Sequence, residues 1–458
     1  MEREEALARE LERSGQKHIA EHLSRLDSQA RERLARQLAT LDFALVRRLS
    51  TLARQGAAGK NVGDFEPAPV TRIGRPKDEM AAAREAGEAA LSQGTVAAFV
   101  VAGGQGSRLQ YDGPKGCYEI APLSAKSLFQ IHAEKTLAAA RRYKTRIPLY
   151  VMTSQANDDA VRAFFQSHNF FGLPPQDLAF CVQRMLPAFD PDGRLLLEQT
   201  DRLFTSPDGH GGSYFALASS GALDDMARRG IRHISYFQVD NPLVPVADPL
   251  FIGEHIRSGS DMSSKVVAKR EPMEGLGVFG FVDGELRVVE YSEMTKRQKE
   301  KKLPDGSLKY AFGSIAVHII DADFARQMAS DDLPFHLAKK KIPHLGPDGR
   351  RVEPDQPNGI KFERFVFDGV PRARSPLVME VRREDEFAPV KQFDGSDSPA
   401  TCRAAMMAQH QRWLRQAGIE IADDRPVEIS PLFALGPTEL RTKLRQRQLP
   451  ATGDVYIQ

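Results

Sequence analysis

Val96-Ala97-Ala98-Phe99-Val100-Val101-Ala102-Gly103-Gly104-Gln105-Gly106-Ser107-Arg108-Leu109, continued by Gly113-Pro114-Lys115-Gly116, is the stretch on which the fold turns. An unbroken apolar run ends abruptly in glycines. Such a run fits a strand buried on both faces of a parallel sheet. Ligands of open α/β sheets bind at the carboxyl ends of these strands. Glycines there let backbone N–H groups approach a phosphate or a base with no Cβ in the way. Arg108 and Lys115 add positive charge at the same mouth. Spacing excludes two familiar loops. GxxxxGK followed by Ser or Thr is absent, and the glycines fall as GGxG rather than GxGxxG. For a glycine turn taken alone, a tight strand exit without a ligand stays the alternative.

Working outward, residues 126–143 read as an amphipathic helix and 147–153 as the next strand. A helix over 158–168, a strand over 178–183 and a buried strand over 233–239 follow; the last stops at Asp240-Asn241-Pro242. This alternation predicts an α/β fold with a mostly parallel sheet. Residues 264–320 are richer in strands. There 278–281 and 286–289 flank Asp283-Gly284, a hairpin signal, so a mixed sheet is expected to extend the parallel core. Upstream, 81–91 reads as a helix leading into the first core strand. The stretch 55–76, with Gln55-Gly56-Ala57-Ala58-Gly59 and Glu66-Pro67-Ala68-Pro69, reads as a connector. Before it, Leu34, Leu38, Leu41, Leu45 and Leu49 recur at steps of three and four and predict one helical face. That face is expected to pack on the main domain, with a protein-binding arm as the alternative. Beyond about residue 395 a helix over 403–417 precedes short apolar stretches at 419–421 and 427–430. The chain is thus expected to divide into a helical part (1–90), a catalytic core (91–394) and a small appended module (395–458).

Lys plus Arg number 63 and Asp plus Glu 61, a net charge of +2. That balance gives no support for a nucleic-acid or membrane-surface binder, so any anion site must be local. Cys117, Cys181 and Cys402 lie far apart, with no CxxC and no Cys/His cluster. Structural zinc and a disulfide framework are therefore not expected, and a reducing compartment is. Met1-Glu2-Arg3-Glu4-Glu5 opens no apolar leader, and no run approaches the roughly 20 apolar residues of a membrane span. A cytoplasmic setting is the expectation.

Ala102 to Leu109 with Pro114-Lys115-Gly116 resembles the nucleotide loop of eukaryotic-type UDP-N-acetylhexosamine pyrophosphorylases and related UDP-sugar pyrophosphorylases. Further blocks resemble that family in its order. They are Met185-Leu186-Pro187-Ala188, Pro207-Asp208-Gly209, Val239-Asp240-Asn241, Val289-Glu290-Tyr291-Ser292-Glu293, Pro357-Asn358-Gly359-Ile360-Lys361 and Phe365-Val366-Phe367-Asp368, closed by the run from Arg383 to Lys391. Together they span about residues 95 to 435. The resemblance implies a Rossmann-like nucleotide-sugar transferase core. It implies a uridylyltransferase that joins UTP and a sugar 1-phosphate into a UDP-sugar and releases pyrophosphate.

Such a reaction rests on positioning and charge neutralisation. The resemblance assigns phosphate contacts to Arg108, Lys115 and Lys391. From the residues alone Lys391 reads as a surface lysine. Asp240 follows a buried strand, and Mg²⁺ prefers one or two carboxylates plus phosphate oxygens and waters. The resemblance favours that metal role over a turn aspartate before Pro242. Matching positions for the base are Gly103, Gly104, Gln183 and Gly209. A glutamine amide both donates and accepts, as a uracil edge requires. Gly277, Glu290, Phe365 and Phe367 match the sugar pocket, although alternating aromatics on a strand are usually core.

Two departures bear on the sugar. His210 and Ser314 stand where the acetylhexosamine branch carries asparagines near the acetamido group. Losing both amides removes donors and acceptors for an N-acetyl group. N-acetylglucosamine 1-phosphate and a plain hexose 1-phosphate such as glucose 1-phosphate are therefore both candidates. Gln110 stands where the family usually has glycine, which leaves the loop's path open. Two other readings are weighed. A nicotinamide or flavin oxidoreductase conflicts with the glycine spacing and with Lys115. A non-catalytic UDP-sugar sensor conflicts with the retention of Arg108, Lys115, Asp240 and Lys391.

Overall fold

A computed structural model describes residues 2–56, 62–444 and 452–458. Residues 57–61 of the expected connector lie outside these. The chain forms two compact units. The larger comprises Asn61–Gln183, Ser213–Asp332 and Phe367–Gln458; the smaller comprises Met1–Lys60, Arg184–Gly212 and Leu333–Val366.

The larger unit is built on a ten-stranded sheet. In chain order its strands are β1 (Glu66–Pro67), β2 (Val96–Val101), β3 (Leu149–Thr153), β4 (Leu178–Val182), β5 (His233–Gln238), β6 (Met262–Ala268), β7 (Val278–Val282), β8 (Glu285–Val289), β9 (Phe312–Asp321) and β10 (Leu377–Glu380). Strands β5, β2, β3 and β4 lie side by side and parallel. Beyond β5 the sheet turns antiparallel through β9, which also pairs with β6 and β7. The α/β reading with a mixed sheet therefore holds. Every residue of β2 is buried. Its three valines and Phe99 contribute about 1.5–3 kcal/mol each when fully removed from water. The β7–β8 hairpin turns at Asp283 and Gly284, with φ of 53° and 83°, the paired left-handed geometry of a type I′ turn.

Register decides where the strands end. Val101 pairs with Met152 on one side and with Gln238 on the other, and Thr153 pairs with Val182. The four parallel strands thus finish level. The loop after β2, Gln183 after β4 and Asp240 after β5 emerge along one edge of the sheet.

The smaller unit corrects the expected leucine face. Asp42 accepts from the Ala44 and Leu45 amides at 2.9 and 3.1 Å and starts a new helix, Phe43–Gln55. Leu34 and Leu38 belong to the preceding helix, Ser28–Leu38, and Leu45 and Leu49 to the new one. Leu34, Leu38 and Leu49 are fully buried in one core with Leu186, Phe189, Leu197, Ile360 and Phe362. The helical prefix packs on the 184–212 and 333–366 segments. Gln16 fastens it there, accepting from the Leu195 amide at 2.8 Å and donating to the Gly193 carbonyl at 2.9 Å. The contiguous parts 1–90, 91–394 and 395–458 do not coincide with these units. The prefix joins two segments far along the chain, and residues 395–458 stay inside the larger unit. There the helix Pro399–Gln416 shares a small core with a parallel pair, Val427–Ile429 and Val455–Ile457.

Candidate active site

The glycine loop folds back on itself. Gly106 N donates to Gly113 O at 2.8 Å, and Lys115 N donates to Gly104 O at 3.1 Å. A residue that sequence reasoning missed holds it in place. Asn157 is buried, and its Nδ2 donates to the carbonyls of Ala102 and Gly104 at 2.9 and 3.4 Å, while its Oδ1 accepts from the Ser154 amide. By type, an asparagine before Asp158-Asp159 reads as a helix cap. Its side chain caps nothing here and serves the loop instead. Gly103 allows a close approach: a Cβ there would lie 2.2 Å from Gln183 Oε1. The loop and the buried Gln183 are therefore in contact.

Gln110 settles the loop's path. It adopts φ 56°, the left-handed conformation that a glycine would take without strain. That geometry costs an L-residue about 1 kcal/mol or somewhat more. Gln110→Gly is expected to raise stability by about 1 kcal/mol and leave the affinity for nucleotide unchanged. Thermal unfolding with and without UTP measures both; a lowered transition temperature would contradict the strain.

Lys115 and Asp240 meet at that edge, with Nζ 3.4 Å from Oδ2 and both side chains about four-fifths buried. Val390 N donates to the Asp240 carbonyl at 2.9 Å, and Asn241 Nδ2 donates to Glu386 O at 2.7 Å. Phe393 N donates to Arg108 O at 2.9 Å. The segment carrying Lys391 is thus fixed at both ends, to the Asp240 turn and to the glycine loop. Lys391 keeps a half-exposed side chain, 3.4 Å from Asp397. Arg108 is exposed at the loop's tip. Three stretches of the sequence, carrying Arg108 and Lys115, Asp240, and Lys391, are thus tied together along this edge. One hard carboxylate oxygen beside a cationic side chain would suit a divalent ion shared with a phosphate ligand better than an all-protein cage.

Gly277, Glu290 and Ser314 converge on the antiparallel side of the same sheet. Ser314 N donates to Gly277 O at 2.8 Å, and a Cβ on Gly277 would come within 2.8 Å of Glu290 Oε1. The Glu293 amide donates to the Glu290 carbonyl at 2.9 Å and the Glu290 amide to Glu293 Oε2 at 2.8 Å, which fixes the backbone that carries the Glu290 carboxylate. Phe367 is buried in the same unit, on a 3-10 turn, Val366–Arg372. The strand expected under Phe365 and Phe367 ends earlier, at Glu363.

Within the smaller unit, Gly209, His210 and Phe365 form a second group. Gly209 has φ 81°, and a Cβ there would lie 2.5 Å from Arg364 O. The His210 ring stacks on Phe365, centroids 5.1 Å apart, and Phe365 stacks in turn on His336 at 4.2 Å. Val366 N donates to His210 Nδ1 at 3.1 Å. Burial, helped by His336, pushes the His210 pKa down to about 4. His210 is a neutral ring whose Nδ1 is already engaged. Beside it, burial pushes the Asp208 carboxyl up to about 6, against the pull of Arg184 and Arg364.

The family model described as UTP–glucose-1-phosphate uridylyltransferase matches residues 58–455. The chain belongs to this family. It is a uridylyltransferase, joining UTP and a sugar 1-phosphate with release of pyrophosphate. The UDP-N-acetylglucosamine pyrophosphorylase of Saccharomyces cerevisiae is 40% identical over 391 residues, 81% of this chain and 82% of that protein. The UDP-N-acetylhexosamine pyrophosphorylase-like protein 1 of Homo sapiens is 37% identical over 458 residues, 95% of this chain and 90% of that protein. A crystal structure of the uridine diphosphate N-acetylglucosamine pyrophosphorylase from Trypanosoma brucei, in complex with an inhibitor, superposes with a TM-score of 0.85 at 28% identity, covering 100% of this chain and 98% of that one. These relatives lend no support to a non-catalytic sensor or to an oxidoreductase. Among the described residues no helix is long and apolar enough to cross a membrane.

Proposed function

We propose that uridylyl transfer takes place at the carboxyl end of β2, β4 and β5. An oxygen of the sugar 1-phosphate attacks the α-phosphorus of UTP in line; the bond to the β-phosphate oxygen breaks and pyrophosphate leaves. The observation that carries this reading is the meeting of Lys115 with Asp240, with the Lys391 segment tied to the backbones of Asp240 and Arg108. Arg108, Lys115 and Lys391 neutralise the triphosphate and the charge that gathers on the leaving pyrophosphate. Gly103, Gly104 and Gln183 receive the uracil, the glutamine amide supplying a donor and an acceptor. Glu290, beside Gly277 and Ser314, accepts hydrogen bonds from sugar hydroxyls; the place of Phe367 beside the sugar rests on the family resemblance. The assignments of Gly209, His210 and Phe365 to base and sugar rest on the family resemblance alone. Asp240 would hold Mg²⁺, which supplies positive charge to the phosphate oxygens when bound. A cytoplasmic setting completes the proposal, supported by three free, buried cysteines.

For the sugar we propose N-acetylglucosamine 1-phosphate, supported by the printed activities of relatives 35–40% identical across most of the chain. A plain hexose 1-phosphate is the second reading. It is favoured by His210 and Ser314, which offer no side-chain amide, and by the engagement of His210 Nδ1 with Val366. Pyrophosphate release from a panel of sugar 1-phosphates separates the two. The N-acetyl substrate is expected to show a kcat/KM at least about tenfold above glucose 1-phosphate, the size of one or two lost hydrogen bonds. Equal or reversed values would replace the first reading by the second.

A further inference from the structure

At the amino end of β5, away from the site just described, three metal-binding side chains from distant parts of the sequence meet. His233 opens β5, Asp321 closes β9 directly opposite it, and His255 lies on the helix Pro249–Ser258. Asp321 Oδ1 is 2.7 Å from His233 Nδ1 and 2.9 Å from His255 Nε2. One ligand atom from each residue lies within 4.8 Å of the other two. We propose that His233, His255 and Asp321 form a binding site for a divalent transition metal of the Zn²⁺ class.

Donor chemistry, geometry and access support this. Two imidazoles and one carboxylate are a zinc-type set, whereas Asp240 alone offers a hard oxygen suited to Mg²⁺. Zn–N and Zn–O bonds of about 2.0–2.1 Å place neighbouring tetrahedral ligands about 3.3 Å apart. The two nitrogen–carboxylate distances would widen by about half an ångström, and the two ligand nitrogens, within 4.8 Å of each other, would settle at about the same spacing around the ion. His255 is already oriented from behind. Its Nδ1 lies 2.8 Å from Ser263 Oγ, the outer hydrogen bond that metal-ligating histidines use to aim the other nitrogen. His255 is 1% exposed, His233 12% and Asp321 32%, so the cluster is walled on the histidine side and open on the carboxylate side. That opening leads into a cleft of about 680 Å³, also lined by Arg232, Asp261 and Arg374. Arg374 is paired with Asp261 at 2.8 Å, which offsets its charge near an incoming cation. Three protein ligands and an open side leave room for water at a fourth position. An ion there would tie β5, β9 and the 249–258 helix together.

The test uses the full chain stripped with EDTA and titrated with ZnCl₂ by calorimetry, with Co²⁺ as a spectroscopic probe of tetrahedral nitrogen and oxygen ligation. One equivalent of Zn²⁺ is expected to bind and to raise the unfolding temperature. His233→Gln and Asp321→Asn are each expected to weaken binding by about tenfold or more, with Mg²⁺-supported transfer unchanged. Asp240→Ala is expected to keep the equivalent. Absence of saturable Zn²⁺ binding to the wild-type chain overturns the proposal, whatever the variants do. So does equal binding by His233→Gln, or loss of the equivalent in Asp240→Ala.

Discussion

Asp240→Ala is expected to lower kcat/KM about 10³-fold at saturating Mg²⁺, the loss of about 4 kcal/mol of transition-state stabilisation. The fold should stand. Among the described residues Asp240 pairs with Lys115 alone, both side chains keep about a fifth of their surface in water, and removing such a pair costs about 1–2 kcal/mol. The Asp240 carbonyl, which accepts from Val390 N, is untouched by the substitution, so the Lys391 segment stays docked. Catalytic loss and structural loss are thus well separated in size. The measurement is pyrophosphate release, with circular dichroism as the control for folding. Asp240→Asn keeps the shape and removes the charge, and it is expected to fall close to the alanine variant. Full turnover in Asp240→Ala would end the proposed role of this carboxylate.

Legibility followed the distance over which each feature is encoded. The β2 run and its glycines are a local signal, since a strand buried on both faces is usually a near-continuous apolar run. Placement of Lys115 and Asp240 at strand ends followed from the same local reading. The role of Asn157 was hidden because its type suits a cap and only the folded loop shows whose carbonyls it takes. Phe365 and Phe367 looked like one strand face. The backbone is diverted first, because Arg364 N donates to Asp208 O and Arg364 O accepts from Gly211 N. The strand ends at Glu363 and a 3-10 turn begins at Val366. The joining of the helical prefix to residues 184–212 and 333–366 has no linear signal at all. It depends on complementary apolar faces, and the capping carboxylate of Asp42 is the local clue that splits the leucine stripe. His233, His255 and Asp321 each read as ordinary positions until three elements bring them together.

The other large effect is expected at Lys265. This lysine is fully buried on β6, with Nζ 2.6 Å from both Asp248 Oδ2 and Glu386 Oε2 and 5.0 Å from the Phe251 ring centroid. Burial alone would discharge it; the two carboxylates outweigh burial and hold its pKa above the usual lysine value. Lys265→Met keeps the volume and strands two buried carboxyl groups, a loss of about 3–5 kcal/mol. The damage should reach function, because Asn241 Nδ2 donates to Glu386 O and the same segment runs on to Lys391. Its pH dependence has a definite sign. Burial already pushes the Glu386 carboxyl up to about 7, against the pull of Lys265. Asp248 is also buried, but there Lys265 outweighs burial and holds the carboxyl below its usual value; without that lysine both carboxyl pKa values rise. The deficit is then full above the folded pKa and shrinks as pH falls towards the unfolded carboxyl values near 4. Thermal unfolding of both proteins at pH 8 and pH 5 should therefore show a wider gap at pH 8. An equal gap at the two pH values would mean that lost packing, and not stranded charge, accounts for the cost. Lys265→Met combined with Glu386→Gln removes one of the stranded charges and should recover part of the lost stability at pH 8 but little at pH 5.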